Sequence, residues 1–248
     1  KAKEVMGEGN HQLLEKYADV FHQSNETNEE IIFSIPFDGE TEGSWLASFC
    51  HAGGVNNPNC ARGVRVFSVD TSSAIWQSWD TTDTRRDFTV YRYFVDINGD
   101  TIDVGADYPA FGKWNAPDET ALNNCYLNPI VYRYADVLLI FAEAESQANG
   151  GPTVEAYNAI KKVRRRAYGL PVDQSAPVDL SGLNQQEFRD AVIKEKGFEF
   201  VIEGGDRLFD LLRTDRLKEK LQSIGKPGTA GDLYPIPQGE IDSNSEIT

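Results

Sequence analysis

The run from Asn128 to Gln147, NPIVYRYADVLLIFAEAESQ, constrains the fold more than any other stretch. Apolar residues fall at Ile130, Tyr134, Val137, Phe141, Ala144 and Ala148, with Leu138 and Ala142 widening the stripe. That spacing is the period of a helix with a broad buried face. Pro129 stands where a first-turn proline is tolerated, and Asn149-Gly150-Gly151-Pro152 supplies the stop. Yet Arg133, Asp136, Glu143 and Glu145 are embedded in this apolar helix. A buried charge that has lost its partner costs about 3–5 kcal/mol, so other segments must bring counter-charges to it.

A second amphipathic helix follows at once. Val154, Tyr157, Ile160, Val163 and Ala167 share one face, and Gly169-Leu-Pro171 ends it. The short link makes the two helices antiparallel neighbours. Asn184-Gln-Gln-Glu187 resembles a capping box with Asn in place of Ser or Thr. It opens a third helix whose face carries Phe188, Val192, Glu195, Glu199 and Ile202, with Gly204-Gly205 as its stop. Leu208, Leu211, Leu212 and Leu217 predict a fourth helix, and Tyr234-Pro-Ile-Pro237 is an extended tail.

The first half is less regular. Lys3 to Phe21 predicts a helix end, a break at Gly7 and Gly9, and a short helix. Glu30 to Phe37 is strand-like, and Ser72 to Trp79 predicts a short helix. Asp87 to Val104 predicts a β-hairpin with Asn98-Gly99 as a type I′ turn. Between these lie two long irregular segments, Asp38 to Phe67 and Gly105 to Leu127; such loops on a compact domain are often functional.

The chain's 248 residues are enough to bury a substantial core. Its net charge of −15 argues against a general nucleic-acid binder, which needs clustered Lys and Arg. Three His and one Met leave little for a metal site or a Met-rich groove. Cys50, Cys60 and Cys125 are odd in number, so a short Cys50–Cys60 bridge and three unpaired thiols both remain open. No apolar run approaches the length of a membrane span. The chain opens at Lys1, already in helical sequence, and is read as a mature or truncated piece.

Candidate chemistry is sparse. Glu195, Glu199 and Glu203 form a carboxylate series, but general acid–base work needs carboxylates across an open site. Arg164, Arg165 and Arg166 can neutralise them, so a buried ion network is the preferred reading. Asp96-Ile-Asn-Gly-Asp100, with Asp103 and Asp107, resembles a calcium loop, but Thr101 occupies the position that requires glycine, and the hairpin is preferred. Gly53-Gly54 and Gly150-Gly151 are turn pairs, and no nucleophile, Walker or dinucleotide motif is present. No cofactor is expected. Aromatics are concentrated ahead of Asn128: Trp45, Trp76, Trp79, Tyr91, Tyr93, Tyr108, Phe111 and Trp114. Flat rings stack on sugars, while neighbouring Asn, Asp and Arg bond hydroxyls.

Nearly the whole chain resembles the SusD/RagB outer-membrane lipoproteins of Bacteroidetes. The resemblance is carried by Pro129 to Leu139 with Ala142-Glu-Ala144, by Val163-Arg-x-Arg-Ala167, and by Ile193-x-Glu195 with Glu199-Phe200 and Glu203-Gly204. Arg207-x-Phe-Asp-Leu211, Arg213, Tyr234-Pro-Ile-Pro-x-x-Glu-Ile241 and Asn244 follow in order. Earlier, Asn28 to Phe33, Trp79-x-x-x-Asp83-x-Arg85 and Gly112-Lys-Trp114 fit the same pattern. Lys196, where the family has Arg, and the extra residue at Gly205-Asp206 depart from it. The resemblance implies a mainly α, SusD-like fold: TPR-like helix pairs with long irregular loops and a small β-hairpin. Residues 1–30 would be the end of the TPR-like helical region and residues 31–248 the C-terminal domain.

It also implies a non-catalytic protein of the outer-membrane surface that binds glycan for uptake through a SusC-like TonB-dependent barrel. Membrane contact would be only through a lipid anchor absent from this chain, and no nucleic acid would be bound. Trp45, Trp76 and Trp114 are the expected ligand contacts, chosen on residue type and loop position, since Trp79 belongs to the structural motif. The alternative function is an interaction scaffold that docks the transporter without a small ligand of its own; a hydrolase using Glu199 ranks third.

Overall fold

The computed structural model describes residues 1–38, 43–52, 57–60, 63–106, 109–117, 125–204, 206–228 and 236–244. Gly53-Gly54, Asp107, Tyr108, Gly205 and Tyr234-Pro235, all singled out in the sequence, lie outside these residues. The chain forms two compact units, Lys1–Gly204 and Gly205–Thr248.

Helices dominate. In the first unit α1 (Ala2–Glu8) is followed by two short 3-10 turns at Tyr17–Phe21 and Gln23–Asn25, then by β1 (Ile31–Ser34). Next come α2 (Leu46–Cys50), α3 (Ala74–Gln77) and α4 (Thr84–Thr89), then β2 (Val90–Tyr91), β3 (Tyr93–Val95), β4 (Thr101–Asp103) and β5 (Ala110–Phe111). Last are β6 (Ile130–Arg133), α5 (Tyr134–Ala148), α6 (Val154–Ala167) and α7 (Gln185–Glu199). The strands form three two-stranded antiparallel pairs: β1 with β6, β2 with β5, and β3 with β4. No described helix is long and apolar enough to cross a membrane.

The central helix begins later than its periodicity predicts. Ile130-Val131-Tyr132, rich in β-branched and aromatic side chains, pairs with β1 in the register Ile31↔Arg133 and Ser34↔Ile130. Helix α5 therefore starts at Tyr134, with the Asp136 carboxylate accepting the Arg133 backbone N–H at 3.1 Å. The buried face is also rotated from the expected stripe. Ala135, Leu138, Leu139, Ala142 and Ser146 are buried, whereas Ala144 and Ala148 are exposed. The leucines decide the orientation, since burying each contributes about 1.5–3 kcal/mol, far more than an alanine methyl.

α1, α6 and α7 all pack on α5. Thr153 caps α6 by accepting the Ala156 N–H, and Gly169, at φ 65°, ends it with Leu170 N–H returning to Arg165 O at 2.9 Å. α7 has the anticipated reciprocal cap between Asn184 and Glu187. It stops at Glu199, one turn before Gly204, because Ile202 turns to φ 58°. The hairpin of β3 and β4 forms, but not with a two-residue turn. Gly99 N–H bonds Asp96 O, only Gly99 has positive φ, and Asp96 N–H bonds Asp100 O. The loop is thus a type I turn closed by a glycine bulge. The Asp96 carboxylate accepts the N–H groups of Asn98 and Asp100. Asp87 to Thr89, expected in the strand, close α4 instead.

Two apolar clusters result. One gathers Tyr17, Val20, Phe21, Val90, Phe111, Trp114 and Leu127; the other gathers Leu138, Leu139, Ile160, Val163, Phe188 and Val192. Cys50, Cys60 and Cys125 are buried thiols of the first cluster, so the expected choice resolves against a bridge. The second unit holds α8 (Asp206–Arg213), α9 (Leu217–Ser223) and α10 (Gln238–Ser243). The single fourth helix expected there is broken by Asp215 at φ 56°.

Candidate functional site

Arg133, at the end of β6 and the head of α5, belongs to a buried ion network that draws on five other parts of the chain: Glu30, Asp83 with Arg85, Lys113, Arg164 with Arg166, and the Glu195–Glu203 segment. Arg133 Nη1 contacts Glu30 at 2.7 Å and Glu199, and its Nε contacts Glu203 at 2.8 Å. Arg166 pairs with Glu30 at 2.8 Å and with Glu199. Arg85 holds Asp83, Glu195 and Glu199, at 2.6, 2.7 and 2.7 Å. Lys113 pairs with Glu203, and Arg164 with Glu195 at 2.7 Å. The carbonyl of Glu199, at the end of α7, accepts from Tyr17 Oη at 2.6 Å, Arg133 Nη2 at 3.0 Å and Lys113 Nζ at 3.1 Å. Cations at a helix C-terminus also meet its negative dipole end.

This cluster is structural. Burial alone would raise the Glu199 pKa, but the Arg166, Arg133 and Arg85 guanidiniums override it and hold the carboxylate well below its usual range. Burial lowers Lys113 to about 8 despite the opposing pull of Glu203. Glu195, Glu199 and Glu203 are all buried. None faces an open site in which a substrate could receive a proton, so the carboxylate series is the ion network that the sequence favours.

The network positions a surface feature. Arg85 anchors α4, and the residues after it, Arg86 and Asp87, emerge at the rim of an open groove of about 440 Å³. Trp79 stacks on Phe198 of α7, with centroids 4.9 Å apart, and so fixes α3, which brings Trp76 to the same groove. Tyr91 and Tyr93 alternate with Arg92 along its wall. The guanidinium of Arg86 lies 4.2 Å from the Trp76 ring centroid and that of Arg92 4.8 Å from Tyr93. Arg86 bonds Asp87 at 3.0 Å, and Arg92 clasps Asp103 through two bonds of 3.0 and 2.7 Å. Arg92 and the Gly105 N–H together bring Asp103 to about 2. The groove is thus lined by two cations, Arg86 and Arg92, and one anion, Asp87, beside aromatic rings, with Asp103 bonded to Arg92 outside the lining. It can offer flat apolar faces together with carboxylate acceptors and guanidinium donors.

Tyr91 is held from behind. Its hydroxyl meets His51 Nδ1 at 3.1 Å, Ala52 N at 3.2 Å and Asn57 Nδ2 at 3.1 Å. The Ala52 and Asn57 groups donate, so the phenol proton goes to Nδ1 and His51 carries its own proton on Nε2. Burial pushes His51 down to about 4, which keeps it neutral.

The three tryptophans separate. Trp76 is half-buried in the groove wall. Trp45 is 43% exposed and sits on a second set of rings, with Phe49 at 5.5 Å and Phe67 a further 5.8 Å on. Trp114 is only 2% exposed, edge-on to Phe21 at 5.4 Å, with Nε1 donating to Ile202 O at 3.2 Å. Its ring has no accessible face, so the expectation that it touches ligand gives way to a packing role. Tyr91 and Tyr93 belong to the aromatics concentrated ahead of Asn128, whereas no motif in the sequence singles out Arg86, Asp87 or Arg92. The available signal was the change from helical to alternating spacing at Val90, which puts them beside those rings.

Paired helices together with an aromatic, charged groove in the irregular half define a helical scaffold that presents a polar-aromatic surface. Residues 2–248 match the model of the SusD family, and the chain belongs to that family. SusD-like protein P25 of Formosa agariphila is 28% identical over 98% of this chain and 52% of its own length. SusD-like protein P2 of the same organism is 29% identical over 71% of this chain and 38% of its own. The chain spans about half the length of P25, and still less of P2 is matched. Its fold is that of a SusD homolog from Bacteroides thetaiotaomicron, with a TM-score of 0.78 at 24% identity, covering 100% of this chain and 57% of that one. Surface glycan-binding protein A from the same species, in complex with laminarihexaose, aligns at a TM-score of 0.71 and 21% identity, covering 98% and 56%.

Proposed function

We propose that this chain is the glycan-contacting part of a non-catalytic cell-surface binding protein, and that the groove at Trp76, Tyr91 and Tyr93 receives the sugar. The observation that carries this reading is the groove itself. Tyrosine and tryptophan rings stand beside Arg86, Asp87, Arg92 and Asp103, which can bond hydroxyls. Pyranose rings offer both an apolar C–H face and a rim of hydroxyls, and this surface matches both. Membership of the SusD family and the laminarihexaose complex of a protein of the same fold support it.

In the whole protein, the captured glycan would pass to a SusC-like TonB-dependent transporter at the outer membrane, where a lipid would anchor it. Residues 31–248 would be the SusD/RagB C-terminal domain and residues 1–30 the end of the TPR-like region. The non-catalytic reading is supported by the burial of Glu195, Glu199 and Glu203 among guanidiniums.

A glycan array followed by titration calorimetry tests the reading. At least one glycan should bind, and Trp76→Ala should weaken it by tenfold or more without altering the far-ultraviolet circular dichroism. Unchanged binding in both Trp76→Ala and Tyr93→Ala would remove the groove from the mechanism. Retention of a barrel partner while every glycan fails would favour the scaffold alternative.

A further inference from the structure

Arg86 and Arg92 both line the groove, but they are partnered very differently. Arg92 clasps Asp103 through Nε at 3.0 Å and Nη2 at 2.7 Å, and both side chains are about half exposed. Arg86 bonds the carboxylate of its sequence neighbour Asp87 once, through Nη1 at 3.0 Å. Its Nε–H is buried and has no partner among the described residues.

The members of the Arg86–Asp87 pair also differ in their access to water. The Arg86 side chain is 21% exposed and that of Asp87 is 77% exposed. The Arg86 guanidinium lies over the Trp76 ring, 4.2 Å from its centroid. Trp76 in turn stands edge-on to Trp79, which is stacked on Phe198 of α7. The cation is thus largely withdrawn from water and seated on a stack of rings, while its counter-ion reaches into solvent. An ion pair with so exposed a partner is weak, because water competes for the carboxylate. A guanidinium with little water around it is a strong donor, and its planar fork can make two parallel bonds to one anion. Asp87 supplies one.

We infer, on the basis of the glycan reading of the groove, that Arg86 is a specificity residue for an acidic sugar. The bound glycan would carry a carboxylate or a sulfate ester, which displaces Asp87 and bonds the guanidinium through two oxygens. These two groups present the same chemistry to Arg86, a compact anion with more than one charged oxygen. A neutral sugar offers only hydroxyls, which cannot replace the charge of Asp87, so the Arg86–Asp87 pair stays intact beside it. The chain's net charge of −15 gives an acidic glycan no attraction at long range. Fields from distant charges are screened within about 8 Å at physiological salt, so selection falls to cations in contact with the ligand.

The test begins with a glycan array holding neutral, uronic-acid and sulfated oligosaccharides. The tightest binder is then titrated calorimetrically beside the same glycan with its charge removed, by methyl esterification of carboxylates or by desulfation. The acidic form should bind about tenfold or more tightly than its neutralised counterpart, and salt should narrow the gap. The treatment that abolishes the advantage identifies the group as carboxylate or sulfate. Arg86→Gln should close most of the gap, and Asp87→Asn, which removes the competing carboxylate, should widen it. Arg86→Lys keeps the charge without the fork and should retain part of it. Thermal unfolding of each variant controls for folding, and the ratio of the two forms is read within one variant. Binding of neutral glycans alone, a gap that survives Arg86→Gln, or one that narrows in Asp87→Asn would overturn the acidic-sugar inference and leave the groove intact. Failure of every glycan would overturn both.

Discussion

Glu199→Gln tests the role of the buried charges most directly. In the native chain one carboxylate oxygen of Glu199 meets Arg133 and Arg166 and the other meets Arg85 at 2.7 Å. Glutamine keeps the shape and one acceptor oxygen but turns an NH2 group toward a guanidinium, and it leaves one buried positive charge uncompensated. Removing one partner from a buried ion pair costs about 3–5 kcal/mol, against a total stability of about 5–15 kcal/mol for a typical protein. With a urea slope of about 2–3 kcal/mol per molar, the midpoint should fall by about 1–2.5 M. The acid limb gives a second readout. Glu199 is held below its ordinary value in the fold, so its stabilisation is present above pH 4.5 and is lost as pH falls below that. The variant should therefore lose less stability between pH 5 and pH 3 than the parent. A midpoint shift below about 0.3 M, or an unchanged acid limb, would refute the assignment of Glu199 as the hub.

Further outcomes follow from other parts of the first unit. Tyr91→Phe keeps the ring but strands the Ala52 N–H, the Asn57 amide and His51 Nδ1, so it should lower stability by about 1–3 kcal/mol and weaken glycan binding, measured by urea melts and calorimetry. Gly112→Ala would put a Cβ 2.0 Å from Phe88 O, between α4 and β5; thermal melting should show a large loss, and an unchanged midpoint would contradict the placement of β5 against β2. Burial pushes the Cys50 thiol up to about 12, with Lys113 opposing. A thiol reagent at neutral pH should find the buried cysteines unreactive in native protein and all three reactive in denaturant. Lys113 should release its proton near pH 8 in the fold and near 10.5 when unfolded, so stability should rise with pH across that window. In Lys113→Met, urea melts should show this rise abolished.

Local signals in the sequence carried the helices. The paired amphipathic helices, their glycine stops and the Asn184 cap depend on spacings of a few residues, and all are present. Longer range defeated the same reasoning. Besides Glu199, Arg166 meets Glu30, 136 positions away, and Lys113 reaches Glu203 across 90. Spacing offers no signal for such pairs: of Arg164, Arg165 and Arg166, which the sequence assigns to the Glu195–Glu199 face, Arg164 and Arg166 do meet it, while the roles of Glu30, Arg85 and Lys113 are not legible there. Arg165 turns away to Asp179, although it stands between two network members. α5 starts later than its periodicity predicts because Ile130-Val-Tyr-Arg133 satisfies both a helical stripe and a strand, and only the presence of β1 selects the strand. Trp114 resembled the other loop tryptophans in type and setting, and packing alone distinguishes its buried ring.

The contrast between Arg85 and Arg86 connects the network to the groove. Adjacent and chemically identical, one is buried against Asp83, Glu195 and Glu199 while the other lies on Trp76 at the surface. α4 is six residues long, too short to be stable by its own hydrogen bonds. Apolar contacts could hold such a helix near the core but would tolerate a small rotation about its axis. Arg85 cannot rotate without giving up its pairs with Glu195 and Glu199 on α7, so the ion pairs fix the angle at which Arg86 and Asp87 emerge. Val90 and Tyr91 continue directly from that helix into the groove wall. A buried ion network is a weak source of net stability and a strong constraint on geometry when each member has several partners. Here its geometric effect is exported one residue along the chain, to the rim where a sugar would have to be met at a defined angle. Arg133, at the head of the central helix, thus serves the scaffold, and through the Glu199 it shares with Arg85 it is tied to the surface ahead of it.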